Sequence, residues 1–364
     1  MNKRFPFILL TFLLLIACGR KKPLNIDGQA RINILVADTT GTFPVDPVLG
    51  YAPIPNIKVL IQSIEYDYLE SKETDKYGLA IFDDLFASEY KVIASRNVGK
   101  GAYELNMSAT KDVEVYQRRT AVDTLYCSVA KMSGLVINEI YYAGPVNNAY
   151  YFYDQFVELY NRTNTTLYLD GIIVSRASQT INPNIEINDY VETLYCFQFP
   201  GKPLGKQYPI QPGQFVVIAQ DAFDHSKVIA NAVDLSNADW EFYDGYGGDW
   251  DNFDVPNVNN IRPDKTVDFM INLVHNAVVI SDGTEYTVTD NYVRIPLSTI
   301  LDGVEYSKSA SRSKEMTTRV DAGFAGVGLA KYSGQSTQRI EPGYDSNNST
   351  LDFILLDHPT PGRQ

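Results

Sequence analysis

Short runs of alternating apolar and polar residues, each followed by turn residues, constrain the fold of this chain most. The clearest run is 31–38, which reads Arg-Ile-Asn-Ile-Leu-Val-Ala-Asp. A period of two puts the apolar side chains on one face of a β-strand. The composition agrees, because 25 Tyr and 17 Phe favour strands with one packed and one wet face. The sequence therefore predicts an all-β protein, and its length favours two domains.

The first domain is predicted at residues 31–131. Apolar runs at 55–61 and 89–94 flank the turn Thr74-Asp75-Lys76-Tyr77-Gly78. Asp75 and Gly78 suit a tight turn, since glycine adopts a positive φ without strain. This order resembles the carboxypeptidase-regulatory-like and collagen-adhesin B-type domains. The resemblance implies a small prealbumin-like β-sandwich that acts as a spacer or docking module.

The second domain is predicted at residues 132–364. It contains Ile137-Asn138-Glu139-Ile140 and Phe156-Val157-Glu158-Leu159-Tyr160-Asn161, with five more motifs further on. These motifs resemble those of the lamin-tail domain, which implies an immunoglobulin-like β-sandwich. Insertions near 176–207 and 231–265 make it roughly twice the family's length, and long excursions from a compact domain are often functional. The motifs follow the family's order at 137–140, 156–161, 169–171, 212–213, 302–306, 336–339 and 360–362.

The first residues carry an export signal. Residues 1–17 combine Lys3 and Arg4 with an apolar run too short to span a bilayer. Leu15-Ile16-Ala17-Cys18 resembles the lipobox of bacterial lipoproteins, which implies cleavage before Cys18 and acylation of that cysteine with fatty chains such as palmitate. Residues 18–30 would then be a lipidated tether. Gly19, in place of an inner-membrane retention Asp, favours the outer membrane and leaves its periplasmic or surface face open.

Charge and cysteine content limit the partners. A formal net charge of −13, with no basic cluster beyond residues 20–22, argues against nucleic acid. After lipidation, Cys127 and Cys196 remain in an oxidising compartment where a disulfide is allowed. Spacing alone does not decide between that bridge and two buried thiols.

Catalytic patterns are weak. His225, His275 and His358 lie in unrelated contexts, and there is no Gly-x-Ser-x-Gly motif. Glu139 and Glu158 have the appearance of an acid–base pair, but similar glutamates belong to the lamin-tail pattern. We expect Glu139 to hold a loop by accepting backbone hydrogen bonds. The sequence therefore favours a protein without enzymatic activity and without a cofactor, Ca²⁺ excepted.

The acidic and aromatic insertion at 239–254 is the best candidate site for a ligand. A loop flexed by glycines can offer several carboxylates to a hard cation such as Ca²⁺. An EF-hand does not fit, because Phe253 and Asn260 stand where ligands are required. The candidate cation ligands are Asp244, Asp249, Asp251 and Asp254.

The same insertion also supports a second hypothesis. Aromatic faces bind sugar rings or partner proteins. A third interpretation is a solvated loop whose tryptophans pack back onto the domain. The candidate contact residues are Trp240, Tyr243, Tyr246 and Trp250.

The leading functional hypothesis is a lipoprotein anchored to the outer membrane that works by binding or adhesion. Its partner would be a glycan, a surface macromolecule or an outer-membrane receptor. The combined architecture resembles uncharacterised lipoproteins of Gram-negative anaerobes, which tend to be encoded near such receptors. Two alternatives stay open: a cation-dependent hydrolase or Ca²⁺-binding envelope protein that uses 239–254, and a purely structural envelope protein.

Overall fold

The computed structural model describes residues 29–100, 103–146, 150–177, 187–245, 249–265 and 268–364. Two large curled sheets form the framework of this part of the chain, which confirms the all-β prediction. The α-helical structure of the described residues is one short turn, α1 (Ser349–Asp352). Short 3₁₀ turns lie at His225–Lys227 and Leu297–Thr299.

The first sheet has the strand order β2-β1-β8-β7-β6-β3-β4, and β5 pairs with β1. Strand β1 runs parallel to β8 and antiparallel to β5. The inward face of the sheet buries a core of mostly aliphatic side chains. The strands are β1 (Ala30–Asp38), β2 (Ala52–Pro53), β3 (Lys58–Ser63), β4 (Leu69–Glu73), β5 (Leu79–Leu85), β6 (Ser88–Lys100), β7 (Tyr103–Val115) and β8 (Thr120–Lys131).

The turn before β5 forms as the sequence predicts. Gly78 has a φ of +78°, and its N–H donates to the Asp75 carbonyl oxygen at 2.9 Å. The Asp75 carboxylate accepts from the backbone N–H of Tyr77 at 2.8 Å and of Leu79 at 3.0 Å. A Cβ on Gly78 would lie 2.5 Å from the carbonyl oxygen of Val36, so this position requires glycine on two grounds.

The second sheet has the order β21-β18-β12-β13-β17-β16-β15-β10-β9-β22-β23. Strand β20 joins it through β13, and β11 pairs separately with β14. The strands are β9 (Leu135–Tyr141), β10 (Phe156–Asn161), β11 (Leu167–Tyr168), β12 (Ile173–Ala177), β13 (Tyr190–Gln198), β14 (Pro209–Ile210), β15 (Phe215–Ala219), β16 (Trp240–Tyr243), β17 (Asn257–Asn260), β18 (His275–Ser281), β19 (Thr287–Val288), β20 (Val293–Pro296), β21 (Ile300–Ser307), β22 (Ser336–Arg339) and β23 (Phe353–Leu356).

Two buried glutamates hold the C-terminal segment against this sheet. The Glu139 carboxylate accepts from the Thr360 backbone N–H at 3.1 Å and from the Thr360 hydroxyl at 3.0 Å. Glu158 accepts from the Gly362 N–H at 2.6 Å. The predicted structural role of Glu139 is confirmed, because its oxygens are occupied by hydrogen bonds that fix the chain end.

Both later cysteines are free thiols. Cys127 lies on β8 and Cys196 on β13, so they belong to different sheets and different packing clusters. Burial raises the pKa of each thiol to about 12. Of the two alternatives left open by the sequence, the structure has the pair of buried thiols rather than the disulfide.

The two sheets contact each other through a loop and the helical turn α1, which lie between strands of the second sheet. Leu60 and Ile93 of the first sheet pack against Ala322 and Leu351. The Asn97 side-chain amide donates to the Asp345 carbonyl oxygen at 3.1 Å. The first sheet therefore rests on the C-terminal third of the chain.

The signal segment and Cys18 lie outside the described residues. Within the ranges given above, no helix is long and apolar enough to cross a membrane.

Candidate functional site

Four loops meet at one edge of the second sheet and enclose a pocket of about 1000 Å³. Their meeting follows from strand direction: β15, β16 and β17 run parallel, so the loops after them leave from the same edge. Strand β10 is antiparallel to β15, with Phe156 opposite Ala219, so the loop before β10 reaches that edge too. The loops contribute residues 151–153, 221–236, 249–252 and 268–270.

Aromatic side chains line much of the pocket. Phe223 and Trp250 lie with ring centroids 5.6 Å apart and planes at 33°. Phe152 stacks on Tyr153 at 5.1 Å, and Tyr151 meets Tyr153 edge to face at 5.4 Å. Trp250 is 70% exposed, although burial of such a ring is favourable. Flat faces are therefore available to a ligand that enters the pocket.

Buried His225 fixes the position of Tyr151. Its Nε2 lies 2.9 Å from the Asp221 carbonyl oxygen, which only accepts, so Nε2 carries the proton. Its Nδ1 then accepts from the Tyr151 hydroxyl at 2.6 Å. Burial lowers the pKa of His225 to about 4, so the ring is neutral at pH 7. His225 thus supports one wall of the pocket.

Four aspartates line the pocket: Asp221, Asp224, Asp249 and Asp268. Burial raises the pKa of Asp268 to about 9, helped by the charges of Asp249 and Asp221. Burial and the charges of Asp249 and Glu241 raise the pKa of Asp221 to about 8. Burial raises that of Asp249 to about 6. Without a bound ligand, Asp221 and Asp268 are therefore mostly neutral acids at pH 7.

Some carboxyl oxygens here have no hydrogen-bond partner. Asp268 is only 9% exposed; its Oδ2 accepts from the Gln220 amide at 2.5 Å, whereas its Oδ1 is buried and unpartnered. Asp249 Oδ1 is also buried without a partner. Such orphan acceptors are costly, and a ligand that pairs with them recovers that free energy.

Glu241 ties two of the pocket loops together. Its carboxylate accepts from the Ala222 N–H at 2.6 Å and from the Asn252 N–H at 2.8 Å. The Asn252 side chain in turn donates to the Ala222 carbonyl oxygen at 2.6 Å. The pocket is therefore held open by hydrogen bonds below its rim, a preformed arrangement that is typical of ligand sites.

The structure separates the predicted aromatic contact residues. Trp250 lines the pocket, but Trp240 is buried on β16 between Phe199 and Tyr208. Tyr243 is half-buried at the end of the same strand. Tyr246 lies outside the described residues.

The predicted cation ligands are dispersed by their hydrogen bonds. Asp244 is buried and accepts from the Asn260 amide at 2.8 Å, and Asp251 accepts from the Asn257 amide at 2.9 Å. Asp249 accepts from the Asp244 backbone N–H at 2.6 Å, and Asp254 is exposed. Among the described residues, no three His, Cys, Asp or Glu side chains are arranged to hold a metal ion.

Sequence reasoning missed most of the pocket. Asp221 and Asp268 lie far apart along the chain, and Tyr151, Phe152 and Tyr153 lie further away still. The unusual run Tyr150-Tyr151-Phe152-Tyr153 was the available signal, because consecutive aromatic residues do not fit an alternating strand. A loop rich in aromatics next to a strand is typical of a contact surface.

The fold and the pocket define an all-β protein with a ligand-sized cleft built from loops at one sheet edge. Residues 211–282 and 261–360, which include part of the pocket, match the model of a family described as a protein of unknown function (DUF4876).

Two solved structures resemble this chain to different degrees. A DUF4876 family protein from Bacteroides thetaiotaomicron shares 22% identity with this chain, with a TM-score of 0.54 over 89% of this chain and 94% of that one. The fimbrial protein FimP from Actonomyces oris has 12% identity and a TM-score of 0.21 over 50% and 47% of the two chains. At 22% identity the first likeness supports the fold. No curated protein matches the chain.

Proposed function

We propose that this chain is a lipoprotein anchored to the outer membrane, and that it binds an organic ligand in the pocket between its four loops without turning it over. The observation that carries the proposal is the pocket itself. It combines a volume of about 1000 Å³ with exposed aromatic faces and a few converging polar groups, as small-molecule sites do. The first sheet would act as a spacer, and the lipobox-like segment supports the anchor.

The organisation of the acidic groups favours binding over hydrolysis. Glu241 is occupied by two backbone N–H groups, and His225 by a carbonyl oxygen and a tyrosine hydroxyl. Neither is placed to move a proton on a ligand. In this proposal, the carboxyl groups that line the pocket bind the ligand and do not activate it for reaction.

The anchor is tested by replacing the lipidation residue. In a Gram-negative host, Cys18→Ala is expected to move the protein from the membrane fraction to the soluble periplasmic fraction after detergent-free lysis, because the mutant lacks acyl chains. Each buried methylene contributes roughly 0.8 kcal/mol to membrane attachment. Metabolic labelling with a fatty acid should mark the wild type alone. A mutant that stays in the membrane fraction would contradict the anchor.

Ligand binding is tested at the exposed tryptophan. A panel of sugars, amines, amino acids and aromatic acids is screened for compounds that raise the melting temperature of the full-length protein in detergent. Trp250→Ala is expected to weaken binding of any hit at least tenfold, since it removes one wall of the pocket. Phe253→Ala is the matched control, because Phe253 lies on the same loop, is 93% exposed and does not line the pocket. Compounds that bind Trp250→Ala as tightly as the wild type would reject the pocket as the ligand site. A panel in which no compound binds would reject it too.

A further inference from the structure

Acidic side chains outnumber basic ones in the pocket lining. Its lining includes Asp221, Asp224, Asp249 and Asp268 but only one basic residue, Lys227, among the described residues. The Lys227 ammonium is 3.1 Å from the Asp224 carboxylate and points to solvent, with 79% of its side chain exposed. The other three carboxyls therefore have no basic partner within the pocket lining.

Two independent features of the pocket select for positive charge. Asp268 and Asp249 line the pocket, and each has one buried oxygen that accepts no hydrogen bond. Phe223, Trp250 and Tyr153 present ring faces or edges to the same space. Rings of this kind attract cations through their negative faces, and desolvation strengthens the attraction.

We infer that the pocket binds an organic ammonium ion, with its charged nitrogen among Asp221, Asp249 and Asp268 and its apolar part against Trp250 and Phe223. This rests on the proposed function and adds the chemical class of the ligand. A neutral sugar would leave the charge of Asp249, whose pKa is about 6, uncompensated at pH 7. A bare metal ion would meet no suitable group of ligands in the described part of the chain and would leave the aromatic walls unused.

Binding of such an ion is coupled to proton release. Without a bound cation, burial and the charges of neighbouring carboxylates raise the pKa of Asp221 to about 8 and that of Asp268 to about 9. A cation beside them lowers both values, so protons leave when it binds. Affinity therefore rises as the pH increases from 6 to 9. The charged and titratable groups around the carboxyls are Tyr151, Tyr153, Asp224, His225, Lys227, Glu241, Asp244 and Asp251.

The test uses pairs of ligands that differ in charge alone. Choline is compared with its uncharged carbon isostere, dimethylbutanol, and phenethylamine with phenethyl alcohol, by titration calorimetry on the full-length protein in detergent. At least one cation is expected to bind ten times more tightly than its neutral counterpart. Its apparent enthalpy should depend on the ionisation enthalpy of the buffer, which reports the released protons.

Two variants and two controls locate the binding. Asp268→Asn and Trp250→Ala are expected to weaken the cation at least tenfold, and Asp268→Asn also reduces the proton release. Asp254→Asn and Phe253→Ala, on the same loop but outside the pocket lining, should change affinity less than twofold. Circular dichroism and the melting temperature check that each variant folds.

Other outcomes would overturn the inference. Equal affinity for the charged and neutral partners, or binding of neutral sugars alone, would show that the site does not select for positive charge. The proposed function would then stand without the ligand class. Binding of Ca²⁺ alone would show an inorganic cation site. No binding of any probe by a folded protein would reject both the ligand class and the proposed pocket function.

Discussion

Replacing Arg339 by methionine is expected to destabilise the protein by about 3–5 kcal/mol or more. Arg339 is 1% exposed, and its guanidinium lies 2.8 Å from Asp302 and 3.4 Å from both Asp345 and Asp352. It also donates to the carbonyl oxygens of Ile137 and Tyr344 at 2.7 Å. Methionine fills part of the volume but removes the cation beside Asp302 and Asp352 and leaves Asp345 with Arg162, 3.7 Å away. The loss of these contacts outweighs the apolar gain.

The measurement is the free energy of unfolding from urea denaturation at pH 7. Arg294→Met is the matched control, since Arg294 pairs with Glu192 at 2.9 Å but 45% of its side chain is exposed. An exposed pair contributes only about 0–1 kcal/mol, so the control should differ little from the wild type. Equal losses of unfolding free energy in the two variants would show that the buried ion pairs of Arg339 do not hold β22 in place.

Asp268→Asn is expected to stabilise the ligand-free protein at alkaline pH and to have little effect near pH 4. The pKa of Asp268 is raised by burial to about 9 in the folded protein, against an ordinary value of 3.8. An acid of this kind contributes fully to stability below its unfolded pKa, and the contribution is lost as the pH rises through about 9. At about 1.4 kcal/mol per pKa unit, the gain for the uncharged amide reaches several kcal/mol at pH 9.

Urea denaturation at pH 4, 7 and 9 tests this linkage. The wild type should lose stability between pH 4 and 9, and Asp268→Asn should flatten that slope. Asp254→Asn, which removes the same charge from an exposed position, should keep the slope of the wild type. If the unfolding free energy of Asp268→Asn fell with pH as steeply as that of the wild type, the raised pKa of Asp268 would be contradicted.

Local sequence was enough to predict the strands and one turn. Alternation at 31–38 corresponds to β1, and the spacing of Asp75 and Gly78 to the tight turn before β5. The anchoring role of Glu139 was inferred from a family resemblance instead, and its partner Thr360 lies 221 residues further along the chain. The strand and the turn depend on neighbours in sequence or on one repeated pattern, which explains why they can be predicted without a structure.

The candidate site was only partly predictable, because it depends on which strands lie side by side. Residues 239–254 read as one loop, but 240–243 form β16, whose Trp240 and Phe242 turn into the core. The parallel pairing of β15 with β16 brings Asp221 close to Asp249, and no local pattern encodes that pairing. Of the three predicted aromatics that the structure describes, Trp240, Tyr243 and Trp250, only Trp250 lines the pocket.

Fluorescence of Trp250 tests the central claim most directly. Trp250 is 70% exposed in the pocket and Trp240 only 7% exposed, so a ligand that covers the pocket alters the emission of one tryptophan. Titration with organic ammonium ions is expected to shift wild-type emission to shorter wavelength and to leave Trp250→Phe unchanged. A shift that persists in Trp250→Phe, or none with any compound that binds the protein, would contradict the pocket as the ligand site.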